Sequence, residues 1–199
     1  MTKPPSDHFS RRSFLKGTSA VAAATTVAST ATVDAQQQTE VVSGARTISI
    51  NVNGQNESVK VEPRTTLLEV LRYQLNLTGA KPVSMDGSSG ASTVLVNGRA
   101  VMASTTLALS VAGKKVETVE SLGGDTPDKV CTAFVDHDAQ QCGFCTPGFV
   151  VAVRAFLNKN PNASEQQIRD GLNGNICRCG TYANVIQAAV SVAKGGGNG

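Results

Sequence analysis

Four of the five cysteines in this 199-residue chain fall in two tight pairs. The segment QCGFC holds Cys142 and Cys145, and the segment CRC holds Cys177 and Cys179. Each pair lies in a glycine-containing turn that runs into a helical pattern, so the positive end of each helix dipole favours thiolate over thiol. Where two such turns face each other, four sulfurs converge, and four thiolates meet the ligand requirement of a [2Fe-2S] cluster. This constrains the fold strongly, because two turns far apart in sequence have to meet. Spacing alone leaves two other occupants open. Zinc also takes four thiolates, although its paired ligands are usually about two to four residues apart and C-x-C is less usual. Disulfides suit an exported chain, although an odd cysteine count and pairing between two turns favour them less. The fifth cysteine, Cys131, has no partner in either motif. It sits on a predicted helix and reads as a structural thiol, with a redox or disulfide role as the alternative.

The N-terminus, SDHFSRRSFLKGTSAVAAATTVASTATVDAQQQ, has a basic stretch, a weakly apolar Ala/Val/Thr run and then small residues. This is the plan of an export signal, and Ser10 to Lys16 closely resemble the twin-arginine signal. Small residues at Val33-Asp34-Ala35 place cleavage after residue 35 and define a signal over 1–35. Lys3, Arg11, Arg12, Lys16, Asp7 and Asp34 leave with it, which takes the formal net charge from +3 to +1. A nearly neutral mature chain offers no electrostatic basis for binding nucleic acid. No run approaches the ~20 strongly apolar residues of a membrane span. The expected location is the periplasm.

Residues 36–45 are polar and Gln-rich and read as a flexible linker. From Arg46 the chain alternates like a strand, with Ile48, Ile50 and Val52 on one face. Asn53-Gly54 is a two-residue hairpin signal, and SVKVEP is the returning strand. Thr65 or Thr66 then caps the short helix LLEVLRYQL, with Leu67, Leu68, Leu71 and Leu75 on one side. TVLVNGRAV is a second hairpin turning at Asn97-Gly98, and KKVETVES is a further strand. Together these predict an α+β fold whose first half, 46–122, is a small β-grasp sheet. Beyond Gly123-Gly124 and Pro127 the pattern is helical. PDKVCTAFVDHDA places Val130, Phe134 and Val135 on one side, PGFVVAVRAFLNKN starts with Pro147 near its first position, SEQQIRDGLNGN opens at Ser164, and TYANVIQAAVSVAKG is the last helix. Four helices predict a small bundle over 125–194, followed by a disordered Gly-rich tail at 195–199.

HDAQQCGFCTPGFV followed by LNGNICRCGTYANVIQA resembles the iron–sulfur subunit of the molybdenum hydroxylases, the xanthine dehydrogenase and aldehyde oxidoreductase group. The resemblance spans essentially the whole mature chain. It implies that Cys142, Cys145, Cys177 and Cys179 ligate a [2Fe-2S] cluster next to the molybdopterin cofactor of a separate large subunit. It also places Gln141 and the residues around Cys179 where the cluster edge approaches the pterin.

The family carries a second, plant-type cluster in its β-grasp domain, with the pattern C-x4-C-G-x-C-T-V-L-V-N-G-R and a fourth cysteine about a dozen residues after the third. GASTVLVNGR aligns with this pattern without a gap. The four ligand positions then fall on Ser84, Ser89, Ser92 and Ser104, all serine. A serine hydroxyl does not deprotonate near neutral pH as a thiol does, so the loop reads as a vacated cluster site.

The resemblance therefore implies a non-catalytic electron-transfer subunit with one cluster. It would serve an exported hydroxylase of aldehydes or N-heterocycles and pass electrons to a flavin subunit or a cytochrome-type acceptor. The chain itself has no C-x-x-C-H haem motif. The alternatives are a docking or assembly subunit impaired in electron transfer, and a four-thiolate zinc protein.

Overall fold

The computed structural model describes residues 42–195, all within one compact unit. The export signal, residues 36–41 of the lead-in and residues 196–199 of the tail lie outside the described residues.

The first half is a five-stranded mixed sheet. Strands β1 (Arg46–Val52) and β2 (Gln55–Val61) form an antiparallel hairpin. Strands β3 (Thr93–Val96) and β4 (Arg99–Met102) form another. The short β5 (Lys115–Glu117) lies between them, parallel to β1 and antiparallel to β3, for the order β2-β1-β5-β3-β4. The strand expected over KKVETVES is thus only three residues long and passes into a 3₁₀ turn over Val119–Leu122.

Both hairpins turn on residues with positive φ, Asn53 and Gly54 in the first and Asn97 and Gly98 in the second. The turn asparagines also join the hairpins to the end of the sheet. Asn53 Oδ1 accepts from the Thr118 N–H at 2.9 Å, and Asn97 Oδ1 from the Lys115 N–H at 2.9 Å.

Helix α1 starts at Leu67–Glu69 and closes the core over this sheet. Thr66 caps it through a reciprocal capping box with Glu69, a device worth about 1 kcal/mol. The helix then widens. Residues Val70–Gln74 are π-helical, with the Leu75 N–H reaching back to the Val70 carbonyl at 3.1 Å. The widening leaves Leu67, Leu68, Val70 and Leu71 buried against Ile50, Val59, Val94 and Val116.

The second half holds α2 (Lys129–Asp136), α3 (Thr146–Lys159), α4 (Glu165–Gly171) and α5 (Tyr182–Gly195). Asp128 caps α2 by accepting from the Val130 N–H at 2.8 Å, and it pairs with Arg154 of α3. Ser164 and Gln167 form a capping box on α4. Val130 and Phe134 face the helical core as expected, but Val135 does not, being 73% exposed. At ~100° per residue Val135 lies about 140° round the helix from Val130, off the buried stripe.

The two halves share strand β3, which is buried along its whole length. Val94 and Val96 point into the sheet's own core, whereas Leu95 packs on Val151 and Ala155 of α3. Close backbone contact completes the seam. A Cβ at Gly148 would lie 2.3 Å from the Gly90 carbonyl oxygen, and one at Gly90, where φ is +69°, would lie 2.5 Å from that of Gly174.

Candidate metal centre

The turn before α3 and the turn before α5 bring the four thiols together as two cross-turn pairs. The side chains of Cys145 and Cys177 lie close enough to act on each other's protonation. Cys142 likewise stands beside Cys179, with its backbone N–H and side chain both acting on the Cys179 thiol. The pairs differ in exposure: Cys177 is buried and Cys145 half-buried, while Cys142 and Cys179 are exposed.

The expectation that each helix dipole lowers both of its thiols fails at Cys145 and at Cys179, both of which are raised. Burial, a thiol hydrogen bond to Cys177 and the negative charge of Cys177 and Cys142 push Cys145 up to about 12. At Cys177 burial acts in the same upward direction. It is outweighed by the hydroxyl and backbone N–H of Thr181, the Cys145 thiol and the Cys179 N–H, which bring Cys177 down to about 7. Within the inner pair, then, Cys177 is the more acidic thiol.

Two pairs of thiols match a cluster that spreads four cysteines over two irons. Beside Cys145, the hydroxyl of Thr146 is buried without a hydrogen-bond partner, a donor left over in a place where buried donors are almost always satisfied. Gln141 is exposed on the same rim as Cys142. Cys131 stands apart, donating to the Leu122 carbonyl at 3.3 Å while it packs against the helical core.

The loop that carries Ser84, Ser89 and Ser92 adjoins this site. Ser84 and Ser89 hydroxyls meet at 2.6 Å, and the Ser92 hydroxyl donates to that of Ser104 at 3.0 Å. The four serines thus pair two and two, and the second pair is fully buried, at 2% and 3% exposure. The Ile176 N–H donates to the Ser89 carbonyl at 2.9 Å, and Asn175 Nδ2 to the Gly90 carbonyl at 2.9 Å. The serine loop is therefore hydrogen-bonded to the residues immediately before Cys177.

A [2Fe-2S] binding domain model matches residues 118–190. The iron–sulfur-binding subunit PaoA of the Escherichia coli (strain K12) aldehyde oxidoreductase is 40% identical over 164 residues, 74% of this chain and 71% of that protein. The chain belongs to the iron–sulfur subunits of the molybdenum hydroxylases. The nicotine 6-hydroxylase small subunit of Paenarthrobacter nicotinovorans is 37% identical to this iron–sulfur subunit over 151 residues, 76% of this chain and 92% of that protein. Among solved structures, a chain of quinoline 2-oxidoreductase from Pseudomonas putida 86 matches with TM-score 0.74 and 36% identity, covering 79% of this chain and 99% of that one. A twin-arginine signal at residues 8–28 directs the iron–sulfur subunit to the periplasm. No helix among the described residues is long and apolar enough to cross a membrane.

The sequence alone did not single out Asn175, Thr146, Thr181 or Tyr182. Tyr182 and Thr181 stand in the CRCGTY segment and were within reach of a motif reading. Asn175 matters only through a contact 85 residues away in sequence.

Proposed function

We propose that Cys142, Cys145, Cys177 and Cys179 hold the single [2Fe-2S] cluster of this subunit. Residues 46–122 then form a β-grasp half without a cluster, and residues 125–194 form the cluster-binding half. When bound, the cluster accepts and releases one electron at a time. The residues around it supply the rest. The exposed pair, Cys142 and Cys179, would hold the cluster on its solvent side. Gln141 and Phe144, the latter 58% exposed, flank that side, and this rim meets the molybdopterin-binding large subunit. Of the inner pair, Cys177 is buried and Cys145 half-buried.

The large subunit chooses the substrate, an aldehyde or an N-heterocycle in keeping with the relatives' names. Electrons leave for a flavin subunit or a cytochrome-type acceptor without a second cluster on the way. Ser84, Ser89, Ser92 and Ser104 supply no thiolate, and their hydroxyls satisfy one another.

The observation that carries this reading is the two-and-two pairing of four thiols across two turns. The test is Cys142→Ala in the exported complex. The reading expects the EPR signal of the reduced subunit to vanish, and an unchanged signal would refute the ligand assignment.

A further inference from the structure

The sulfur of Cys177 is held by more donors than a ligand needs for placement alone. The hydroxyl of Thr181 lies 3.2 Å from it, and the backbone N–H groups of Thr181 and Cys179 are also directed at it. The Cys177 N–H is fixed in turn by Tyr182 Oη at 2.7 Å, and the Tyr182 ring stands edge-on to Phe149 with centroids 6.1 Å apart. Thr181 is 6% exposed, so its hydroxyl has little access to water. Among the described residues its hydrogen-bond partner is the Cys177 sulfur.

A thiolate bound to iron has no proton to give, so in the loaded protein the Thr181 hydroxyl must be the donor of that bond. We propose that Thr181 is a tuning residue that sets the reduction potential of the cluster through this O–H···S bond. The inference rests on Cys177 being a ligand.

The physical reason is charge. Reduction adds one electron to the cluster, and part of the added negative charge lies on its sulfurs. A fixed hydroxyl dipole aimed at one of those sulfurs stabilises the reduced state more than the oxidised one, and such hydrogen bonds are among the determinants of cluster potential. The dipole acts in a buried setting where it is poorly screened. No proton moves. The electron comes from the large subunit, and the hydroxyl hydrogen stays on Thr181. The effect is directional: loss of the hydroxyl makes the cluster harder to reduce.

The experiment is an EPR-monitored redox titration of the exported complex in three forms, wild type, Thr181→Val and Thr181→Ser. Valine keeps the shape and removes the donor, whereas serine keeps the donor. The expected result for Thr181→Val is a roughly tenfold lower ratio of reduced to oxidised cluster at the wild-type midpoint, equivalent to about 59 mV for a one-electron couple. Thr181→Ser stays near wild type. A fully loaded Thr181→Val protein with an unchanged midpoint overturns the proposal.

Proton ENDOR of wild type and Thr181→Ala in H₂O and D₂O gives a second, spectroscopic readout. An exchangeable proton coupled to the cluster and lost in Thr181→Ala supports the bond, and its persistence in Thr181→Ala overturns it. Cys177→Ala separates the two readings. An unchanged signal there refutes the ligand assignment itself, whereas loss of the signal there with an unmoved Thr181→Val midpoint refutes only the tuning role.

Discussion

The hydroxyl of Ser92 donates to the hydroxyl of Ser104 across 3.0 Å, joining the residue before β3 to the turn after β4. The Ser104 N–H donates back to Ser92 Oγ at 3.3 Å. Both side chains are buried, so each depends on the other for its hydrogen bonding. This pair and its counterpart, Ser84 with Ser89, close the loop through hydroxyl hydrogen bonds.

Breaking the buried pair from one side should cost more than removing it whole. Ser92→Ala leaves the Ser104 hydroxyl without its donor, and we expect a loss of about 1–3 kcal/mol. The double variant Ser92→Ala/Ser104→Ala should lose less than Ser92→Ala alone, since no hydroxyl is then left buried without its partner. Denaturant unfolding of the three variants measures this, and the cluster signal should be unaffected in all of them.

Refilling the loop with sulfur should rebuild its cluster. Serine and cysteine differ by one atom, and the serines already stand in two pairs. The combined change S84C, S89C, S92C and S104C should about double the iron content and add a second EPR signal, since four thiolates suffice for a [2Fe-2S] cluster. An unchanged iron content would show that the loop has lost the geometry of a ligand cage.

The seam between sheet and helices should tolerate no side chain at Gly148. An added Cβ would press on the Gly90 carbonyl at 2.3 Å and on Ala91 Cα at 3.0 Å. Both partners are backbone atoms and cannot swing aside. Gly148→Ala should destabilise the subunit by about 1–3 kcal/mol. Because Gly148 follows Cys145 by three residues in sequence, it should also shift the g-values of the cluster signal.

Cys131→Ala serves as the contrast among the cysteines. Its thiol donates to a backbone carbonyl and packs on the helical core. The variant should lower stability by only about 0.5–1.5 kcal/mol for the lost hydrogen bond, because the Leu122 carbonyl still accepts from the Asp128 N–H at 2.8 Å, and it should leave iron content and the EPR signal intact.

Much of this was legible in the chain. Asn53-Gly54 and Asn97-Gly98 announced both hairpins because only residues at ease with positive φ serve such turns. Their second role, in which each asparagine side chain ties its hairpin to the region of β5, carries no local signal. The widening of α1 into a π-helix was invisible for a related reason: an apolar stripe reports which side is buried, not how many residues each turn holds. Val135 was misplaced because an eight-residue helix offers too few turns for its apolar stripe to be defined by pattern alone.

The cysteine pairs could be read from spacing, but their partners across the turns could not, since that pairing depends on how α3 and α5 approach each other. The serine loop was legible only through its resemblance to a cluster-binding pattern. Its hydrogen bonds to Asn175 and Ile176 join segments far apart in sequence, and no local rule anticipates them.

The most direct test of the central claim is the iron and acid-labile sulfide content of the exported subunit, measured together with its EPR spectrum after reduction. With thiolates at Cys142, Cys145, Cys177 and Cys179 and only hydroxyls in the serine loop, the protein should hold about two irons per chain and give one rhombic signal. About four irons per chain with two signals would contradict the account, and so would a colourless protein containing zinc.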